Sequence, residues 1–236
     1  MHLNLNNLPS DLPKLEAIEK AATRMLVQAL YDYREQASEI FRNETDQVAD
    51  IGEDVTSEAF SKLGVSRIDK RLYGKVDLKR ACYLFLPDES VRLALFIDSK
   101  AEKQGATARI QMSQLSMTVM QPRKGVDITV SGALPHIVHL DGIDYLTMTL
   151  FVKYIYSEDA VGNKALRYIK VLCLPNGMLQ SKYNPDHTDT IWLVGPDSPE
   201  RSEEFRTRVS FSKLAHKAAW RVQTIPLAPT PFVWSL

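Results

Sequence analysis

The stretch Val91-Arg92-Leu93-Ala94-Leu95-Phe96-Ile97-Asp98-Ser99-Lys100 decides how this chain is read. An aliphatic and aromatic run of this kind is a buried-type β-strand. It ends on charged residues, which are costly to bury without partners. Upstream, Val76 to Leu86 is similar in composition, and Pro87-Asp88-Glu89-Ser90 between them suits a turn. The two runs are therefore expected to form a β-hairpin. With Leu86 opposite Val91, the register sets Asp77 opposite Lys100 and Lys79 opposite Asp98. Residues i and i+2 share a strand face, and cross-strand neighbours on it stand ~5 Å apart. Asp77, Asp98 and Lys100 then gather at the open end of the hairpin. A one-residue slip would send one strand's set to the other face.

Around this hairpin the periodicity changes. Upstream, Pro9-Ser10-Asp11 reads as a helix start. Leu15, Ile18, Ala22, Leu26, Leu30, Tyr33, Ala37 and Phe41 then recur at helical spacing. Asp50 to Leu63 predicts a second helix closed by Gly64. Downstream, Ile143 to Tyr156 and Arg167 to Leu174 predict a strand pair. Ala101 to Met120 is ambiguous and expected to be part helix. Asn184 to Arg201, rich in Pro, Asp, Ser and Gly, reads as a long loop or irregular lobe, and loops of that length are usually functional or disordered. Val209 onward predicts a short strand, a helix around Lys213–Ala219 and a Pro-rich tail. These elements favour one α/β (α+β) domain over residues 1–236. Within it lie N-terminal helices over 10–64, the hairpin over 76–100, and a loop and strand region over 180–211.

Bulk composition is that of an ordinary globular chain. Of 236 residues, 44% are hydrophobic and 25% charged, enough for a sizeable core. Lys plus Arg equals Asp plus Glu, giving a formal net charge of zero. Nucleic-acid binding is not favoured by that balance, although a basic cleft can be offset by acidic surfaces elsewhere. Cys82 and Cys173 sit in apolar runs and read as buried thiols. No CxxC spacing suggests zinc. A secretory leader pattern is missing, and no apolar run approaches the ~20 residues of a membrane span. A cytoplasmic protein is expected.

Two carboxylates and a lysine on one strand face form a minimal set for metal-dependent phosphodiester hydrolysis. Mg²⁺ takes few protein carboxylates and fills its remaining positions with waters and phosphate oxygens. It activates water and neutralises developing charge, while a lysine beside it orients the nucleophile. Asp77 and Asp98 are the candidate metal ligands. A D-x-K tripeptide alone carries little weight, and this chain has two, Asp77-Leu78-Lys79 and Asp98-Ser99-Lys100. The second is favoured because it ends the buried-type run; salt-bridged strand ends are the competing explanation. Glu53 offers a further catalytic acid, or is an exposed carboxylate near a helix start. His136, His139 and His216 have no evident partners and read as structural.

Several further motifs are colinear with this core: Val27-Gln28-Ala29-Leu30, Ser38-Glu39-Ile40-Phe41, Glu53-Asp54-Val55-Thr56, Ser113-Gln114-Leu115-Ser116-Met117, Tyr183-Asn184-Pro185-Asp186, Ser198-Pro199 and Arg206-Thr207-Arg208-Val209. Together with the hairpin they resemble the SfiI-like type II restriction endonucleases and, more distantly, their BglI-like relatives, from about residue 15 to about residue 223. The resemblance implies a PD-(D/E)xK restriction-endonuclease-like core, a mixed central sheet flanked by helices. It also implies Mg²⁺-dependent cleavage of double-stranded DNA at a palindromic site, continuous or interrupted. Asp77 matches the first acid, Asp98 the second and Lys100 the catalytic lysine. No Pro precedes Asp77, a position the family keeps loosely. Arg206 and Arg208 match the family's base-reading Arg-x-Arg strand.

Two arginines at i and i+2 point to one side of a strand, and each can grip guanine O6 and N7. G·C pairs in each half-site are therefore expected, unless the two are solvated surface arginines. Lys182, Asn184, Asp186 and His187 are candidate base readers or turn caps. Gln114 and Arg109 are further candidates for DNA contact. A palindrome demands a two-fold related reader, hence a homodimer at least, or a homotetramer, with no membrane partner. Two other readings stay open: a structure-selective repair or junction nuclease on this fold, and a non-catalytic DNA-binding protein.

Overall fold

A computed structural model describes residues 4–43, 48–61, 66–67, 81–86, 91–103, 106–140, 142–193 and 205–236. Three helices come first: α1 (Leu12–Asp32), α2 (Arg34–Asn43) and α3 (Val48–Ser61). Asp11 caps α1 by accepting from the Lys14 N–H at 3.1 Å. The long periodic segment expected as one helix is broken at Tyr33, which separates α1 from α2. Its apolar face is nonetheless the anticipated one, with Leu15, Ile18, Ala22, Leu26, Leu30, Ala37 and Phe41 all buried.

Strands β1 (Ser66–Arg67), β2 (Ala81–Leu86) and β3 (Val91–Glu102) begin the central sheet. Leu86 pairs with Val91 and Ala81 with Phe96, which is the register expected for the hairpin. The extension of that ladder to Asp77 lies outside the described residues, as does Gly64. Strands β4 (Thr107–Gln111), β5 (Val119–Arg123), β6 (Val126–Val130) and β7 (Ile137–Leu140) precede β8 (Ile143–Glu158) and β9 (Lys164–Leu174). Among the described residues of 101–120 there is no α-helix: β3 runs on to Glu102, β4 follows, and a 3₁₀ turn spans Met112–Gln114. Five-residue strands in which Ala108 and Ile110 face inward give too short a period-2 signal to stand out.

The central sheet runs β1-β2-β3-β8-β9-β12, with β7 also on β8. Here β12 (Val222–Pro226) is an edge strand inside the segment expected as a Pro-rich tail. Its only proline closes the strand, a position an edge tolerates. The β3–β8 pair is parallel and every other pair is antiparallel, so the sheet is mixed. Parallel neighbours need a crossover, and here the crossover between β3 and β8 holds β4 to β7. Strand β8 lies between β3 and β9 and is buried from Tyr145 to Ile155 on both faces. Helices α1 and α2 pack on β9, and α3 packs on β3 and β8.

A second, three-stranded sheet has the order β10-β11-β4, with β10 (Trp192–Leu193) and β11 (Arg206–Ser210). The segment expected as an irregular lobe therefore contributes a short strand. Two short helices, α4 (Gln180–Tyr183) and α5 (Phe211–Lys217), precede and follow it. The helix expected at Lys213–Ala219 is α5, begun two residues earlier by the Ser210 cap.

Candidate active site and nucleic-acid interface

Asp98 and Lys100 project from one face of β3, paired across the parallel ladder with Phe151 and Lys153 of β8. Asp98 is 3% exposed, whereas Lys100 is exposed. From the helical layer, Glu53 of α3 reaches the same place. These three side chains line a cleft of about 180 Å³ with Arg109, Gln111, Gln114 and Arg206. Six residues singled out in the sequence thus meet in one cavity, although they come from α3, β3, β4, the 3₁₀ turn and β11. Asp77, the expected first acid, lies outside the described residues.

The pairing of β4 with β11 organises the other wall. Arg206 is opposite Gln111 and Arg208 opposite Arg109, so these four share one face. Ala108, Ile110, Thr207 and Val209 fill the other and are buried. That alternation turns three arginines to one side of a rigid ribbon. An adjoining cleft of about 370 Å³ is lined by Lys100, Arg109, Lys153 and Arg208 with Glu102. The chain has no net charge, yet five cations, Lys100, Arg109, Lys153, Arg206 and Arg208, line these two clefts.

Among the lining residues missed in the sequence are Gln111 and Lys153. Gln111 stands two positions from Arg109, where the strand rule places it on the same face. Lys153 interrupts the apolar run of β8, a signal as informative as Lys100. Its ammonium, almost wholly buried, donates to Glu102 and to the Thr107 carbonyl. Beside it, Lys170 on β9 has its ammonium pKa lowered by burial and by the Lys153 charge.

The loop candidates are placed differently. Asn184 is fully buried; its Oδ1 accepts from the Met120 N–H and from Trp192 Nε1, each at 2.8 Å. Its Nδ2 donates to the Met120 and Asp186 carbonyls, both at 2.9 Å. The Asn184 amide thus makes its hydrogen bonds inside the protein, bracing the loop against Met120 and Trp192. Asp186 caps a turn, accepting from the N–H groups of Thr188 and Asp189. Those bonds hold its carboxyl below the usual range, the Asp189 N–H foremost. Lys182 pairs with Glu16 at 2.5 Å. His187 Nε2 lies 2.9 Å from Thr129 Oγ1 on the β5–β6 hairpin. None of these four lines either cleft.

Two of the three histidines expected to lack partners, His136 and His139, have them. His139 Nδ1 is 2.8 Å from Asp144 Oδ1, and His136 Nε2 is 3.1 Å from the Ser116 carbonyl. Cys173 is fully buried, as expected, and burial first of all pushes its thiol up to about 12; the Cys82 side chain lies outside the described residues.

Carboxylate and amide oxygens, without thiolate or imidazole, are donors for a hard divalent cation. Among the described residues no three His, Cys, Asp or Glu side chains are grouped to hold a metal. Two carboxylates beside a lysine fit an ion such as Mg²⁺, which keeps several waters and takes one or two protein ligands. Among the described residues no helix is long and apolar enough to cross a membrane.

Residues 15–225 match the family model described as Type II restriction enzyme SfiI. The chain is 32% identical to the Type II restriction enzyme SfiI of Streptomyces fimbriatus over 239 residues, covering 95% of this chain and 88% of that protein. The crystal structure of tetrameric restriction endonuclease SfiI bound to cognate DNA is similar at a TM-score of 0.84 and 30% identity. That match covers 98% of this chain and 90% of the other. BglI bound to its DNA recognition sequence shares the fold, with a TM-score of 0.72 at 16% identity over 94% of this chain and 93% of that one.

Proposed function

This chain belongs to the SfiI family of type II restriction endonucleases, and from that premise we propose that it cleaves double-stranded DNA with Mg²⁺ at a palindromic site carrying G·C pairs in each half. One observation carries the reading: Glu53, Asp98 and Lys100 share a cleft with Arg109 and Arg206. Cleavage groups and base-reading groups thus adjoin. A bound Mg²⁺ supplies Lewis-acid charge neutralisation at the phosphate. Asp77 and Asp98 would hold it, with Glu53 as an additional acid of the site.

The chain's own groups do the rest. Lys100 orients the attacking water by hydrogen bonding and takes part of the charge that builds on the phosphate oxygens. The arginine face of β4 and β11 enters the major groove. There each guanidinium of Arg206 and Arg208 donates two parallel bonds to one guanine, and Arg109 neutralises a neighbouring phosphate. Binding the bases on a rigid ribbon fixes where the scissile phosphate arrives beside Lys100. A palindromic target requires copies related by a two-fold axis. A homotetramer, the state of the similar SfiI–DNA structure, is the proposed assembly.

Digestion of DNA of known sequence in Mg²⁺, followed by end mapping, tests this. Discrete fragments sharing one G·C-containing palindrome are expected. Smeared products would point to structure-selective cutting, and a site made of A·T pairs alone would remove the role given to Arg206 and Arg208.

A further inference from the structure

Helix α3 brings Glu53 to Asp98 and Lys100, and its seat on β3 is unusually close at one point. A Cβ on Gly52 would stand 3.3 Å from Lys100 N, Lys100 C and Ala101 N. Gly52 thus lets the helix backbone rest directly on the strand backbone at the catalytic lysine. One turn later, Thr56 lies on the same helix side. Its hydroxyl donates to the Gly52 carbonyl at 2.8 Å. The Ser99 hydroxyl, from the residue between Asp98 and Lys100, donates to Thr56 Oγ1 at 2.8 Å. Tyr154 of β8 stands 2.8 Å from the same oxygen. Because the Thr56 proton is committed to Gly52, Tyr154 must be the donor. One hydroxyl oxygen therefore gives one bond and accepts two, the most it can make.

The surroundings leave these groups no alternatives. Thr56, Ser99 and Tyr154 are all buried. Burial raises the Tyr154 hydroxyl far above its ordinary pKa, so it remains a donor. Its ring stacks on Phe41 of α2, centroids 5.7 Å apart. The strand alternation completes the arrangement: Ser99 faces the helices, while Asp98 and Lys100 face the cleft.

We propose that Thr56 is a positioning residue of the cleavage site: by bonding Ser99 and Tyr154 while Gly52 rests on Lys100, it fixes Glu53 of α3 relative to Asp98 and Lys100 of β3, and so sets the cleft's affinity for a divalent cation. The inference rests on the nuclease reading above. It adds a residue that touches neither DNA nor metal.

The test compares wild type, Thr56→Val, Thr56→Ser, Ser99→Ala and Ile225→Ala. Ile225 is a buried core residue of β12, at the far edge of the sheet from β3. Three quantities are measured: Mn²⁺ affinity by EPR, the Mg²⁺ concentration for half-maximal cleavage, and DNA affinity in Ca²⁺. Thr56→Val is expected to weaken Mn²⁺ binding and raise the Mg²⁺ requirement by about tenfold or more, the usual effect of removing an outer-shell partner. DNA affinity in saturating Ca²⁺ should stay as in wild type. Thr56→Ser should restore the metal response, and Ser99→Ala, which strands no buried donor, should give a smaller shift in the same direction. Ile225→Ala should lower Tm without altering metal affinity. Wild-type Mn²⁺ affinity in Thr56→Val overturns the proposal. If Thr56→Val does not fold, wild-type affinity in Ser99→Ala does so. An equal metal defect in Ile225→Ala reduces the effect to general destabilisation and overturns it as well. A wild-type protein that binds Mn²⁺ but cuts no DNA would refute the nuclease reading alone, since the Mn²⁺ comparison stands without cleavage.

Discussion

Lys100 is exposed at the cleft while Asp98, two residues before it, is buried beside it. Their substitutions should act on chemistry rather than on binding. Lys100→Ala is expected to retain DNA affinity in Ca²⁺ and to lose at least about 100-fold in single-turnover cleavage in Mg²⁺, the scale on which a preorganised charged donor contributes. Rapid-quench kinetics beside a filter-binding titration would check this, and unchanged cleavage would remove Lys100 from the site. Arg206 and Arg208 should behave in the opposite way. Arg208→Ala is expected to cost about 1–3 kcal/mol of DNA affinity and to relax the requirement at one base pair. Arg208→Lys should recover little, because an ammonium lacks the planar fork; binding to a panel of single-base-pair variants reads both effects. At this scale the sequence was legible where residue type and spacing carry the chemistry. It was not legible for Asn184, whose amide is as suited to reading adenine as to bracing a loop. Only burial tells the two apart.

Among elements, the hairpin was the most legible, because four residues of turn-type composition between two buried-type runs single out one register. The Leu86–Val91 pairing follows from that. The β4–β11 sheet was less so: its strands are short and stand far apart in the sequence, and the pairing that brings Arg109 to Arg208 is set by tertiary contacts. The brace that Asn184 gives this region can be tested. Asn184→Ala would strand the Met120 N–H and the Trp192 indole N–H in the interior. A loss on the order of 3 kcal/mol is expected from two such groups, read by urea denaturation. An exposed base reader would give almost none.

Across the whole molecule, α1 is locked to the end of the chain by a buried ion pair. Arg221 Nη2 lies 2.6 Å from Glu19 Oε2, with both side chains fully buried. Glu19 also accepts from the Asn176 N–H at 2.8 Å. Burial raises the Glu19 pKa in spite of Arg221 beside it. Removing one partner, as in Arg221→Met, should cost about 3–5 kcal/mol, because it leaves a carboxylate uncompensated. The double change Glu19→Leu with Arg221→Met should recover most of that loss, and a thermal-denaturation cycle of the four proteins would show it. Glu19 and Arg221 stand 202 positions apart in the chain, and neither spacing nor periodicity connects them, which is why the sequence kept silent about this lock. Cys173 sits beside it, with Arg221 Nη1 3.5 Å from its sulfur. A thiol fully enclosed there and pushed up to about 12 holds almost no thiolate at neutral pH. In a Cys82→Ser background it becomes a clock: alkylation can proceed only when the sheet opens. The rate at which iodoacetamide is consumed would then report the lifetime of the native state, and DNA bound to the arginine ribbon should slow it.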